Sequence, residues 1–200
     1  MTRFTVLLSY FILGLSLLWA NPRCLKLIPA IREATERHIS IDYPVHYNIA
    51  TAEKESSCRW VESADGHGSV GYFQLTPKFL DKELRPLFPD YTKPYSKDHF
   101  HAFAYYLNTL IQTNPTPQLW IVYQRYNGGN WVIRECKQAR SWKRERCLQF
   151  CRRGQVCVYK SGTECVQYRS ACEINYQYSF HIHRYAQKYR EREDGRWRYW

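Results

Sequence analysis

Two hundred residues, 44% of them hydrophobic and 16% aromatic, are enough for one compact domain with its own core, which excludes an intrinsically disordered chain. A formal net charge of +11 points to anionic surroundings: nucleic acid, anionic lipid headgroups or the acidic polymers of a cell envelope. Charge alone does not choose among them, but the amino terminus does. Thr2-Arg3, an apolar run from Phe4 to Ala20 and the turn-prone Asn21-Pro22 read as a secretory signal over residues 1–20. An uncleaved membrane anchor through residues 4–20 is the alternative, because the run is long and Leu18-Trp19-Ala20 only half satisfies the small-x-small cleavage pattern. Either way the chain is exported, to the periplasm or the cell envelope. Trp142 to Arg153 and Arg184 to Arg198 interleave basic and aromatic residues as single-stranded nucleic-acid binders do, but export argues against that partner and no nucleic acid is expected.

Beyond the leader the chain has no internal repeat or low-complexity tract and reads as helices joined by short loops, a mainly α fold. Val45, Ile49, Ala52 and Ser56 fall on one small-to-apolar helical stripe, flanked by both Glu53 and Glu55. Thr76-Pro77 and Thr116-Pro117 have the form of helix starts, since threonine accepts a bond from a free backbone N–H and proline fits the first helical position. From Ser96 to Thr113, Phe100, Phe103, Ala104, Leu107, Leu110 and Ile111 follow the spacing of one buried helical face. Gln118 to Tyr126 is apolar around much of its circumference, which predicts a helix crossing the core and ending at Asn127-Gly128-Gly129. Asn130 is placed to cap another helix.

After Cys136 the composition turns basic, aromatic and cysteine-rich. Residues 137–200 hold too few aliphatic side chains for a core of their own, so they read as an extension packed on the same domain and stapled by disulfides. Within it, Ile182 to Glu193 reads as a charged, solvated outer helix. All eight cysteines (24, 58, 136, 147, 151, 157, 165 and 172) follow the leader, and an even number in an exported chain implies a disulfide framework whose pairing the spacing leaves open. The gaps between the last five contain no C-x-x-C step of a zinc site, so no metal is expected.

Three signals stand in order between Tyr43 and Gly129: AEKESSCRW around Glu55, GSVGYFQLTP from Gly68 to Pro77, and YQRYNGG from Tyr123 to Gly129. Each is weak alone; their order and separation resemble the soluble lytic transglycosylase domain, a lysozyme-like family related to goose-type lysozyme. Its members carry Glu-Ser at a helix end, a glycine turn leading to Gly-x-x-Gln-x-x-Pro, and a helix ending in Tyr-Asn-x-Gly. The resemblance covers a little under half the chain and implies a catalytic domain over residues 21–136. It also implies a partner, the glycan strands of peptidoglycan, and no cofactor. Further partners on this reading are anionic envelope polymers and a secretion or conjugation apparatus.

By resemblance, Glu55 is the single acid/base. It protonates the bond between N-acetylmuramic acid and N-acetylglucosamine and then deprotonates the C6 hydroxyl of the same muramic residue, leaving a 1,6-anhydro end. Burial raises a carboxyl's pKa and suits it to the acid role. Ser56 matches the serine behind the acid, Gln74 a glutamine that hydrogen-bonds the glycan, Tyr126 a tyrosine whose hydroxyl points at the acid, and Asn127 its neighbour, which reads equally as a helix C-cap. A hydrolytic lysozyme would need a second carboxylate, for which Glu62, Asp65 and Asp81 are the candidates, and a protein that binds glycan without turnover is the other alternative. The sequence departs from the family at Asp65, which stands where a serine is usual in a loop about one residue longer than usual. It departs again at Arg125, which stands in place of an alanine and brings positive charge toward the site.

Overall fold

The computed structural model describes residues 20–63, 68–190 and 197–200; all of the predicted leader but Ala20, and Asp65, lie outside the described residues. Among the described residues the protein is mainly helical, with one small sheet. Helix α1 spans Pro22–His38, α2 His46–Ser56, α3 Pro77–Leu84, α4 Lys97–Gln112, α5 Leu119–Gly128, α6 Trp131–Gln138 and α7 Arg144–Leu148. Strands β1 (Gln155–Ser161) and β2 (Glu164–Ser170) precede α8 (Ala171–Ala186) and a final 3₁₀ turn, Gln187–Tyr189. No helix among the described residues is long and apolar enough to cross a membrane.

The chain divides into two compact units. The first is drawn from Met1–Asn108 and Ile182–Gly195, the second from Thr109–His181 and Arg196–Trp200. The division does not fall at residue 136. Residues 109–136 cluster with the cysteine-rich segment, whose Cys147 is bonded to Cys136, and Ile182–Gly195 belongs to the first unit.

In the first unit α1 starts on Asn21, whose side chain accepts from the N–H of Arg23 at 3.0 Å, with Pro22 in the first turn. Helix α2 is buried on every side from His46 to Ala52 rather than along one stripe. Its small and neutral polar residues allow this: Ala50 and Ala52 leave room for neighbours, and buried Asn48 donates to Thr35 Oγ1 of α1 at 2.9 Å. On α4 the residues Phe100, Phe103, Ala104 and Leu107 are buried as the spacing predicts, and the Phe103 ring stacks on Phe73 with centroids 3.7 Å apart. The described part of the segment from Ile182 is not a solvated outer helix: Ile182, Ala186 and Tyr189 are buried, while Arg184, Gln187 and Arg190 are exposed, and residues 191–193 lie outside the described residues.

In the second unit α5 is buried from Leu119 to Arg125, as its all-round apolarity predicts. It does not begin at Thr116-Pro117. The N–H groups of Leu119 and Trp120 donate to the carbonyls of Arg198 and Tyr199, both at 2.8 Å, so the carboxy-terminal strand satisfies the first turn in place of a side-chain cap. Thr76 and Asn130 do precede helices, but neither side chain caps. The Thr76 hydroxyl is 2.8 Å from Ser69 Oγ, and Asn130 accepts from Arg125.

All eight cysteines are paired, as Cys24–Cys58, Cys136–Cys147, Cys151–Cys172 and Cys157–Cys165, which removes the zinc reading. The hairpin β1–β2, absent from the sequence reading, pairs Gln155 with Ser170 and Ser161 with Glu164, and turns at Gly162 with φ +60°. Two strands alone are marginal in water, and the Cys157–Cys165 bridge ties this pair together.

Candidate active site

Periodicity leaves Glu53 and Glu55 level on α2, and the structure gives Glu53 a bracing role. Glu53 is 11% exposed and fully engaged, with Oε1 2.8 Å from Lys188 Nζ and Oε2 accepting from the Tyr189 hydroxyl at 2.7 Å. Burial first, and the bond to Glu53 second, push the Tyr189 hydroxyl well above the usual phenol range. Glu53 is thus a brace between α2 and the final 3₁₀ turn. Glu55 is half-buried at the end of the same helix, one residue before Ser56.

Ser56 ties that helix end to the second motif. It is buried, and its hydroxyl lies 3.0 Å from the carbonyl of Ala52 and 2.8 Å from that of Tyr72. This is a bracing position rather than one that meets a ligand: the single hydroxyl proton is taken by backbone. Directly after Ser56 the chain leaves α2 through two left-handed residues, Ser57 (φ 53°) and Cys58 (φ 57°), and Cys58 is bonded to Cys24 of α1.

The Gly71–Gln74 turn is closed by backbone bonds. Val70 and Leu75 exchange a pair at 2.8 and 3.0 Å, and Gly71 N–H donates to Val61 O at 2.8 Å. Gly71 has φ +79°, and a Cβ there would collide with the ring of His99. His99 is fully buried: Nδ1 lies 2.8 Å from the Tyr91 carbonyl and Nε2 accepts from the N–H of Phe73 at 3.4 Å, which fixes the neutral tautomer with the proton on Nδ1. Burial outweighs the bond to Tyr91 and lowers its pKa to about 4. Nothing in the sequence marks His99 beyond its place next to Phe100 on the core face of α4. Gln74 adopts φ 53°, and its Nε2 donates to Val61 O at 3.1 Å and Gly71 O at 2.9 Å. Both amide hydrogens are thereby used inside the loop, and Oε1 is the atom through which this side chain could meet a glycan.

Glu55-Ser56 and Gly71–Gln74 are therefore brought together in the first unit, while Tyr126 and Asn127 stand in the second. Tyr126 is half-buried near the end of α5. Asn127 is exposed, and its Nδ2 donates to Asn175 Oδ1 at 3.0 Å. It is not the C-cap, since the helix continues through Gly128 and closes at Gly129 with φ 68°. Arg125 brings no charge to a site. It is 5% exposed and donates to the Leu110 carbonyl (2.6 Å), Thr113 Oγ1 (2.9 Å) and Asn130 Oδ1 (2.8 Å), so the cation sits on the carboxy-terminal end of α4, where carbonyls lack helical partners.

Of the candidate second carboxylates, Glu62 is exposed on the short bridge to Val70, and Asp81 is engaged by Arg85 (2.6 and 2.7 Å) and the Tyr91 hydroxyl (2.9 Å). The Arg85 bond holds the Asp81 carboxyl below the usual carboxylate range. Among the described residues no group of three His, Cys, Asp or Glu side chains is placed to hold a metal ion. No protein-family model, no curated protein and no solved structure matches the chain.

Proposed function

We propose that the protein is an exported peptidoglycan lytic transglycosylase with a lysozyme-like catalytic fold and Glu55 as its one acid/base. The observation that carries this reading is the place of Glu55 at the end of α2, directly before Ser56, whose hydroxyl braces that helix end to the Gly71–Gln74 turn through the Tyr72 carbonyl. Four disulfides support export.

The chemistry balances with one carboxyl. Glu55 gives its proton to the glycosidic oxygen as the bond from muramic C1 breaks. The C6 oxygen bonds to C1, and its proton returns to the Glu55 carboxylate, so no water enters. Of the candidate second carboxylates among the described residues, Asp81 is engaged and Glu62 exposed, which favours this route over hydrolysis, a reaction that would need a second placed carboxylate.

The test is digestion of purified sacculi with mass spectrometry of the fragments. Anhydro-muramic ends from the wild type, and none from Glu55→Gln, are the expected result. Reducing ends alone would replace the proposal with a lysozyme, and an inert wild type that still binds sacculi would replace it with a glycan-binding protein.

A further inference from the structure

A pocket of about 140 Å³ lies in the second unit beside α6, lined by Trp131, Arg134, Glu135, Gln138, Phe150, Arg152 and Arg153. Three of these seven side chains are guanidinium groups, and one is a carboxylate. The Arg134 guanidinium lies 4.1 Å from the Trp131 ring centroid and that of Arg153 5.6 Å from it, contacts that steady the cations without using their N–H groups. Arg152 Nη1 is held by the Gln149 and Cys151 carbonyls at 2.7 and 3.1 Å. The backbone of Arg153 is fixed by its N–H on Cys172 Sγ at 3.3 Å, beside the Cys151–Cys172 disulfide. The three cations are thus pre-positioned.

One carboxylate, Glu135, pairs with Arg153 and faces three cations, so the pocket keeps a net positive charge. The Glu135 side chain is 5% exposed; Oε2 accepts from the Tyr176 hydroxyl at 2.6 Å, and Oε1 is 3.4 Å from Arg153 Nη2 without hydrogen-bond geometry. Arg153 is itself only 16% exposed, and its Nε and Nη2 atoms are buried with no hydrogen-bond acceptor among the described residues. Buried charged donors left without acceptors are costly, and a planar guanidinium with two such donors fits a two-oxygen acceptor.

We propose that this pocket is a binding site for a small oxyanion, a carboxylate or phosphate group, seated on Arg153 with Arg134 and Arg152 around it and the Trp131 ring as its apolar wall. An anionic polymer or headgroup presenting such a group would be held by a protein of this charge at a defined place rather than by diffuse attraction. The proposal does not involve Glu55 and stands apart from glycan cleavage.

The test follows arginine Nε–H resonances of the full ¹⁵N-labelled chain during titration with inorganic phosphate, with chloride at equal ionic strength as control. The Arg153 and Arg134 signals are expected to shift saturably with phosphate only. Arg134→Gln, an exposed position that leaves the fold intact, is expected to weaken the response at least fivefold, and Glu55→Gln to leave it unchanged. Equal responses to phosphate and chloride, or an Arg134→Gln protein that titrates like the wild type, would overturn the proposal. Titration with a wall stem peptide and with phosphatidylglycerol vesicles then separates the two sources: competition with phosphate by the peptide assigns a carboxylate, by the vesicles a lipid phosphate, and by neither overturns a role for the pocket in envelope binding.

Discussion

Glu53 and Glu55 lie two positions apart on α2, and their substitution should separate stability from activity. Removing Glu53 leaves the Lys188 ammonium and the Tyr189 hydroxyl without their acceptor in a half-buried setting. Breaking a buried pair from one side is strongly destabilising, and the 30% exposure of Lys188 reduces the loss to about 2 kcal/mol. Glu53→Ala is therefore expected to lower the midpoint of thermal unfolding by about 4 to 8 °C in a chain of this size. Glu55→Gln keeps the size and half-burial of the side chain and is expected to leave the midpoint within about 1 °C while sacculus lysis is lost. Calorimetry of the two variants beside a turbidity assay decides the matter; a Glu55→Gln protein as unstable as Glu53→Ala would make Glu55 a structural residue. Helix periodicity does not reveal the bracing role of Glu53, because Lys188 and Tyr189 lie 135 and 136 positions away from it, and no local pattern announces such a contact. Arg125 misled for the same reason. Its partners Leu110 and Thr113 lie at and just past the end of a preceding helix, so a cation that reads as free in the motif is consumed by a carbonyl and a hydroxyl there.

The helices with strong apolar periodicity were the legible part of the fold. Residues 97–112 and 119–128 are helical within two residues of where the spacing puts them, because burial of one face or of all faces sets both the pattern and the structure. The capping side chains were legible only as boundaries: Thr76 and Asn130 mark helix starts, but tertiary partners outcompete the local N–H groups for their oxygens. The hairpin is obscured in the sequence although Val156 and Val158 alternate with Cys157 before a Ser161-Gly162-Thr163-Glu164 turn, since the cysteines and charges around it read as a basic extension. The Gly71–Gln74 turn was legible through its resemblance, whereas its support was not: His99, 28 positions on, fills the space that a side chain at position 71 would need. Gly71→Ala thus meets both a positive φ and a ring held on two sides by hydrogen bonds. It is expected to cost about 2 to 4 kcal/mol and to abolish lysis through displacement of the Ser56–Tyr72 bond. Denaturant unfolding together with the lysis assay measures both, and a stable, active Gly71→Ala protein would remove the turn from the site.

The two compact units are secured by different chemistry, which predicts different responses to acid. Residues 109–181 and 196–200, the second unit, carry thirteen Lys and Arg against four Glu, so most of the net charge of +11 lies there. The second unit tolerates that charge with three disulfides, Cys136–Cys147, Cys151–Cys172 and Cys157–Cys165, which acid does not break. The first unit holds one disulfide and four histidines whose pKa is lowered, His38, His46, His99 and His101, in each case chiefly by burial. For His46, Arg190 and His183 add to the lowering. The shift for His46 and for His99 is from 6.5 to about 4. A pKa lower in the folded than in the unfolded chain means that the unfolded state binds the proton more tightly. The stability contributed by the neutral imidazole is therefore complete above pH 6.5 and is lost as pH falls toward 4. Each of these two residues withdraws about 3 kcal/mol over that window, a large part of the roughly 5 to 15 kcal/mol of a whole domain. Hydrogen exchange at pH 7 and pH 4.5 is expected to show the amides of His46–Ser56 losing protection at the lower pH, while those of Leu119–Gly128 keep theirs once intrinsic rates are corrected. His46→Phe, which buries no titratable group, is expected to shift the loss in the first unit to lower pH. Equal loss in both helices, or a His46→Phe protein with the wild-type acid profile, would show that carboxylate protonation and not the buried imidazoles sets the acid limit.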